Sequence, residues 1–188
     1  MIVLSLDIGI VHLAWVLIDS AAGVLGCGLW DIREPCAEPN CTLPHTRETY
    51  DRLCHIDAHY VVPLMREAEF LLLERQPPGG LQAVEDFFFG RYRDRAVKVH
   101  PCAVHAWSGI RHLDYEARKA AATKSAKKYI PHLDSDGGRV HDIADAVCQA
   151  CWFFEHRHRR KPAAVPRAAA PLHHVPAHAW MDKFAHIC

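Results

Sequence analysis

Short apolar runs punctuated by glycine open the chain. Residues 2–6 are apolar and close on Asp7 and Gly9, residues 13–18 form a second run, and residues 24–30 a third after Gly23. Three such runs joined by tight turns predict a β-meander. Residues 33–45 hold Pro35, Pro39 and Pro44, acids and two cysteines, and read as loop. Over 46–67, Leu53, Ile56, Tyr60 and Leu64 recur at helical steps. Pro63 should kink or shorten that helix. Residues 70–74 are apolar on both faces, as in a central strand covered on both sides. Pro77-Pro78-Gly79-Gly80 stops it. Residues 81–92 predict a helix with Val84, Phe87 and Phe88 inward, 96–99 a strand ended by Pro101, and 114–130 a helix rich in Ala and Lys. Residues 134–138 read as a turn and 140–155 as the last strong helix. The order β-β-β-α-β-α-β-α-α predicts an α/β domain over 1–156. Its mixed five-stranded sheet combines a three-strand meander with two parallel strands, and helices cover both faces. Residues 157–188, rich in Arg, Pro, Ala and His, are expected to form a mobile tail.

Composition narrows the class. The 188 residues suit one domain, and 50% hydrophobic with 23% charged residues is a globular balance. Lys+Arg and Asp+Glu both number 22, so a strongly basic domain is excluded while a local basic patch is not. No apolar run approaches the ~18–20 residues of a membrane span, and no secretory signal is evident at the start. The expectation is a cytosolic or nuclear protein, neither secreted nor membrane-bound. Eight cysteines, at 27, 36, 41, 54, 102, 148, 151 and 188, form no paired C-x-x-C ribbon, so they read as reduced, partly buried thiols. Cys148 and Cys151 lie in the last helix, where they should pack and not bind zinc. Of the 15 histidines, His173, His174, His178 and His186 belong to the tail, a compositional bias.

Four carboxylates stand out by position. Asp7 closes the first strand and Glu74 the fourth. If those strands are parallel neighbours, both acids lie at one sheet edge, where open α/β sheets place their sites. Asp142 and Asp145 are three apart near the start of the last helix and share a face, with the apolar residues Ile143, Val147, Ala150, Cys151 and Phe154 expected opposite. Four converging acids repel one another, and hard divalent cations such as Mg²⁺ relieve this with oxygen ligands. Two such ions about 3.5–4 Å apart can activate a water and stabilise the leaving oxygen of a phosphodiester.

These segments resemble a known family. Leu4-Ser5-Leu6-Asp7-Ile8-Gly9 with Leu13-Ala14-Trp15 is similar to the first motif of RuvC-type Holliday junction resolvases. Glu74-Arg75-Gln76 is similar to the second, and His141-Asp142-Ile143-Ala144-Asp145-Ala146 to the third. Length and motif spacing agree with the poxvirus branch over residues 1–156. The resemblance implies an RNase H-like fold, a homodimer and Mg²⁺-dependent nicking of branched DNA (two ions per site, with Mn²⁺ an alternative). It assigns Asp7, Glu74, Asp142 and Asp145 as the metal-binding catalytic acids. In poxviruses such an enzyme resolves concatenated genomes in the infected cell's cytoplasm, so the resemblance implies a cytoplasmic protein (host cytoplasm if viral). Val11 and His12 stand where relatives often carry a basic residue and an asparagine. Arg139-Val140-His141-Asp142 replaces Lys-Lys-Asp-Asp, and His141 reads as a surface or packing residue.

For DNA contacts, Lys124, Lys127 and Lys128 fall within an arc of about 100° on the 114–130 helix, with Arg118 and Lys119 one turn earlier. Such a stripe suits phosphates. Arg91, Arg93, Arg95 and Lys98 form a second basic group, and Arg157, Arg159, Arg160 and Lys161 a possible arm. Phe87, Phe88 and Phe89 are adjacent, so one is expected to meet a partner or DNA. Cutting two matching strands calls for a symmetric dimer. A phosphate-binding ATPase or sugar kinase would leave Asp142 and Asp145 unexplained, and no nucleotide cofactor is expected. The remaining alternatives are another RNase H-like nuclease, acting on hybrid or branched nucleic acid, and a non-catalytic DNA-binding module.

Overall fold

The computed structural model describes residues 1–131, 133 and 139–157. The expected turn at 134–138 and the tail from 158 onward, with Arg159, Arg160, Lys161 and five histidines, lie outside the described residues. The strands are β1 (Ile2–Ile8), β2 (His12–Asp19), β3 (Gly23–Asp31), β4 (Phe70–Glu74) and β5 (Ala96–Val99). They form one sheet in the order β3-β2-β1-β4-β5. The meander β1–β2–β3 is antiparallel, while β4 pairs parallel with β1 and β5 parallel with β4. This is the predicted mixed sheet.

Strand parity divides the core in two. Leu4, Leu6 and Ile8 of β1 and Leu71 and Leu73 of β4 pack in one cluster with Leu53, Val61, Val84 and Phe88. Val3 and Leu72 face the other side, against Ala122, Ala144, Val147 and Phe153. Successive side chains alternate between faces, so Ser5 and Asp7 share the face of Val3, and Glu74 shares that of Leu72.

The helices that cover the first face come from α1 (Thr49–Ile56), a π-helical turn Asp57–Val61, α2 (Val62–Leu64) and α3 (Gln82–Arg91). The helix expected over 46–67 is thus broken by a π turn just before Pro63. Proline has no N–H to donate, and the wider turn accommodates that loss. Asp57 in this turn is buried but paired: Tyr92 Oη donates to it at 2.6 Å, and Arg91 Nη2 lies 2.7 Å away. On α3, Val84 and Phe88 are buried, whereas Phe87 and Phe89 are half-buried. Both find neighbours within the chain, Phe87 at the edge of the Tyr50 ring and Phe89 under the Lys98 ammonium.

The opposite face is covered by α4 (Pro101–Trp107), α5 (Tyr115–Ala126) and α6 (Val140–His156). Helix α4 was not expected from the sequence. Pro101 does not end the chain's order; it opens a helix at the position where its missing N–H costs nothing. His100 caps that helix, its Nδ1 accepting from the Cys102 N–H at 3.1 Å. Helix α5 is shorter than 114–130, and Lys127 is its C-cap. Asp114 caps its start by accepting from Ala117 N–H at 2.8 Å.

Helix α6 lies between the sheet and α5 and is buried most of the way round, through Ala144, Ala146, Val147, Cys148, Ala150 and Cys151. Burial pushes the Cys148 thiol up to about 12, which fits a packing role and not a reactive one. One polar group interrupts this surface. Gln149, itself buried, donates from Nε2 to Ser5 Oγ at 3.0 Å and to the Leu6 carbonyl at 3.3 Å. These bonds fix the rotation of α6 against β1. Replacing Gln149 with Ala leaves the Ser5 hydroxyl without its partner and is expected to lower the unfolding free energy by about 1–3 kcal/mol. Denaturant titration of the purified chain measures this; an unchanged midpoint would show that methyl packing alone seats the helix.

Candidate active site

The parallel pairing of β1 with β4 sets the first two acids. Leu6 pairs with Leu73, so Asp7 and Glu74 emerge side by side one step beyond, at the C-terminal ends of both strands. Their carboxyl groups are within hydrogen-bonding reach of each other. Helix α6 supplies the other two. At 100° per residue, Asp142, Asp145 and Gln149 fall within an arc of about 60°. The bond from Gln149 to Ser5 therefore turns both acids toward the sheet edge. This corrects the expected arrangement, in which the acids would face away from the buried side of the helix. Here they share the sheet-facing side and extend it past the strand ends. All four residues are half-buried. Gly9 closes the turn after Asp7; a Cβ there would lie 2.8 Å from the His12 carbonyl oxygen, so only glycine fits.

A second layer holds Glu74. Gln76 Nε2 donates to its Oε2 at 3.1 Å. The backbone N–H of Gln76 in turn donates to Glu85 Oε2 at 2.6 Å, and Lys98 Nζ balances Glu85 at 2.6 Å. The Ile8 N–H also donates to the Glu74 carboxylate. Asp142 is steadied by His141, whose Nε2 is 3.0 Å from Oδ1, and by Arg139 at 3.4 Å from Oδ2. Ser5, Gln149, Glu85 and Lys98 were not singled out for the site by sequence reasoning. The only local signal was Gln149, one amide in an otherwise apolar helix run.

The electrostatics are those of an anionic site short of positive charge. Burial, then the neighbouring Glu74, pushes Asp7 well above the usual carboxylate range. Burial also raises Glu74, with Asp142 adding to it. Asp145 is pushed up to about 7 by burial, then by Glu74 and Asp142, with Lys119 opposing. An all-oxygen donor set with this repulsion suits a hard divalent cation such as Mg²⁺. A carboxyl whose pKa is raised on folding favours the folded state when protonated. Its contribution therefore falls as pH climbs from its ordinary value, near 3.8, toward 7. In protein freed of divalent ions, Asp145→Asn is expected to melt about 4 °C or more above the parent at pH 8 and no higher at pH 4. Calorimetry at both pH values checks this; a lower melting point for the variant at pH 8 would mean the acids do not repel.

The predicted DNA-contacting residues separate. Lys119 stands beside the acids, its Nζ over the Tyr115 ring at 4.3 Å, where it acts on Asp142 and Asp145. Arg118 turns back on its own loop and donates to the Leu113 carbonyl at 2.6 Å. Lys124, Lys127 and Lys128 are exposed near the C-terminal end of α5. In the second basic group, Arg91 and Lys98 are engaged by acids, and Arg95 donates to the Met65 and Ala68 carbonyls at 2.9 and 3.2 Å. A cleft of about 790 Å³ runs from Glu74 past Gln76 and Pro77 to Lys98 and His100.

No protein-family model matches the sequence, and a search of curated proteins finds no relative. Solved structures do match. RuvC of Thermus thermophilus is 16% identical with a TM-score of 0.56, over 85% of this chain and 96% of that one. The fowlpox virus resolvase, solved with its substrate Holliday junction DNA, is 15% identical with a TM-score of 0.57, over 84% and 99%. The yeast mitochondrial Holliday junction resolvase Ydc2 is 12% identical with a TM-score of 0.51, over 84% and 83%. The chain is built on the RNase H-like fold of the RuvC-type Holliday junction resolvases.

Proposed function

We propose that the protein is a structure-specific endonuclease that nicks four-way DNA junctions symmetrically as a homodimer. The observation that carries this reading is the meeting of Asp7, Glu74, Asp142 and Asp145 at the shared end of β1 and β4, on a fold matched along most of its length by junction resolvases. Asp7 and Glu74 form the floor of the site, and Asp142 and Asp145 its wall. These residues would hold Mg²⁺, with Mn²⁺ as a substitute. When bound, such cations neutralise phosphate charge and ease deprotonation of an attacking water. Gln76 and the Ile8 N–H keep Glu74 aimed inward, and His141 and Arg139 fix Asp142. Lys119 brings positive charge to the rim, where a scissile phosphate approaches. Lys124, Lys127 and Lys128 present charge further along α5, suited to a DNA arm. The cleft beyond Glu74 gives a neighbouring strand room to pass.

The chemistry needs no serine or cysteine nucleophile, and the buried Cys148 and Cys151 play no part in it. Symmetric nicking requires two such sites, hence two copies of the chain. In a cell the enzyme would act on recombination or replication intermediates such as viral concatemers, in the cytoplasm.

Asp142→Asn is expected to bind a synthetic four-way junction as the parent does. Its Mg²⁺-dependent nicking should fall by about 100-fold or more, since several kcal/mol of charge stabilisation is lost. Undiminished cleavage would remove these acids from catalysis. Faster cleavage of an RNA–DNA hybrid than of the junction would redirect the reading to another nuclease of this fold. Replacing Lys124, Lys127 and Lys128 together by Ala should weaken junction binding. It should also make the slope of log K against log salt shallower by about 2–3. An unaltered slope would show that α5 does not meet phosphate.

A further inference from the structure

Residues 32–48 join β3 to α1 without a helix or strand. Connections of this length are uncommon in a compact domain unless something holds them. Hydrophobic burial does not hold this one. Past Ile32 every residue is exposed except Cys36, Glu38, Cys41 and Leu43, which are half-buried. The loop therefore turns its two cysteines inward, and they meet histidines. The ligand atoms of Cys36, Cys41, His45 and His55 all lie within 4.8 Å of one another. His55 is 5% exposed and comes from α1. Its Nε2 is 2.9 Å from the Pro44 carbonyl oxygen, which can only accept, so Nε2 carries the proton. That leaves the Nδ1 lone pair facing the Cys41 sulfur at 3.1 Å. A carbonyl that fixes the tautomer of a histidine whose other nitrogen faces a thiol is the arrangement of metal-binding histidines.

We propose that Cys36, Cys41, His45 and His55 bind one structural Zn²⁺, which staples the 32–48 loop to α1. Two thiolates and two imidazoles make the soft, tetrahedral donor set that zinc prefers. With Zn–S near 2.3 Å and Zn–N near 2.0–2.1 Å, ligand atoms in such a site stand about 3.3–3.8 Å apart, so these groups need to shift by about 1 Å or less. Binding releases the two thiol protons to solvent, and the filled site is neutral, since two thiolates balance the ion. The spacing C-x4-C-x3-H-x9-H places three ligands on the loop and the fourth on the helix. His59 Nε2, 3.1 Å from the Cys41 sulfur, hydrogen-bonds the thiolate from the next turn. The site is independent of the carboxylates, whose oxygens select a harder ion.

The test is elemental analysis of the full chain, purified without a metal-affinity step and dialysed against Mg²⁺. About one zinc per chain is expected, as in structural sites of this type. Cys41→Ser and His45→Ala should each lose it, while His59→Ala and Asp142→Asn keep it. The tail histidines, present in every variant, serve as the internal control. His45 is exposed, so its variant is expected to fold and decides the matter if Cys41→Ser does not. Cobalt(II) bound to the parent should give the visible absorption of a tetrahedral thiolate site, absent in His45→Ala. A folded parent without zinc overturns the proposal. So does zinc retained by both ligand variants, zinc lost from His59→Ala but kept by His45→Ala, or a Cys36–Cys41 disulfide in protein lysed with its thiols blocked.

Discussion

Four carboxylates repel one another, and this chain spends its architecture on holding them together. The parallel register of β1 and β4 brings Asp7 beside Glu74. The docking of α6 then adds Asp145 and Asp142 from above the same strand ends. Neither arrangement lowers the energy of the acids themselves; burial and mutual charge raise their pKa values. The stability that sustains the cluster comes from elsewhere, from the two apolar cores on either side of the sheet. Each is built from alternate residues of the same strands. A site of this kind is a strained feature carried by a well-packed frame, as functional sites often are.

Most of the frame was legible in the sequence because its signals are local. Alternating apolar runs and the glycines between them identify β1 to β3, and the all-apolar Leu71-Leu72-Leu73 marks a strand covered on both faces. The acids were legible because Asp7 and Glu74 close strands whose pairing could be inferred, and Asp142 and Asp145 stand near the start of the last helix. What escaped reading was tertiary. Pro101 looks like a stop, yet opens α4, because proline both ends strands and begins helices. The π turn before Pro63 arises from the conflict between a helical apolar period and a missing donor. The facing of Asp142 and Asp145 was misjudged because α6 is buried on nearly all sides. No apolar stripe then tells which side meets the sheet.

The polar interior also escaped, for a related reason. Glu85 is buried yet satisfied, accepting from the Gln76 N–H and paired with Lys98. Through Gln76 it steadies Glu74, although it lies on α3 and carries no motif. The basic residues of α5 look uniform in sequence, but their roles diverge once neighbours are placed. Arg118 serves its own loop, and Lys119 serves the acids. The two candidate metal-binding groups differ in the same physical way. One offers only carboxylate oxygens, the other sulfur and imidazole nitrogen, so hard and soft cations would favour different groups.

The bonds from Gln149 to Ser5 and the Leu6 carbonyl carry a lesson for anyone rebuilding this centre. Small alanine and cysteine side chains form a smooth cylinder on which a helix could pivot or creep. The single amide acts as a key, because its N–H finds acceptors at one azimuth alone. Grafting four carboxylates onto a foreign sheet of the same topology would therefore reproduce the charges without their aim. The serine and glutamine, silent in the chemistry, would have to travel with them.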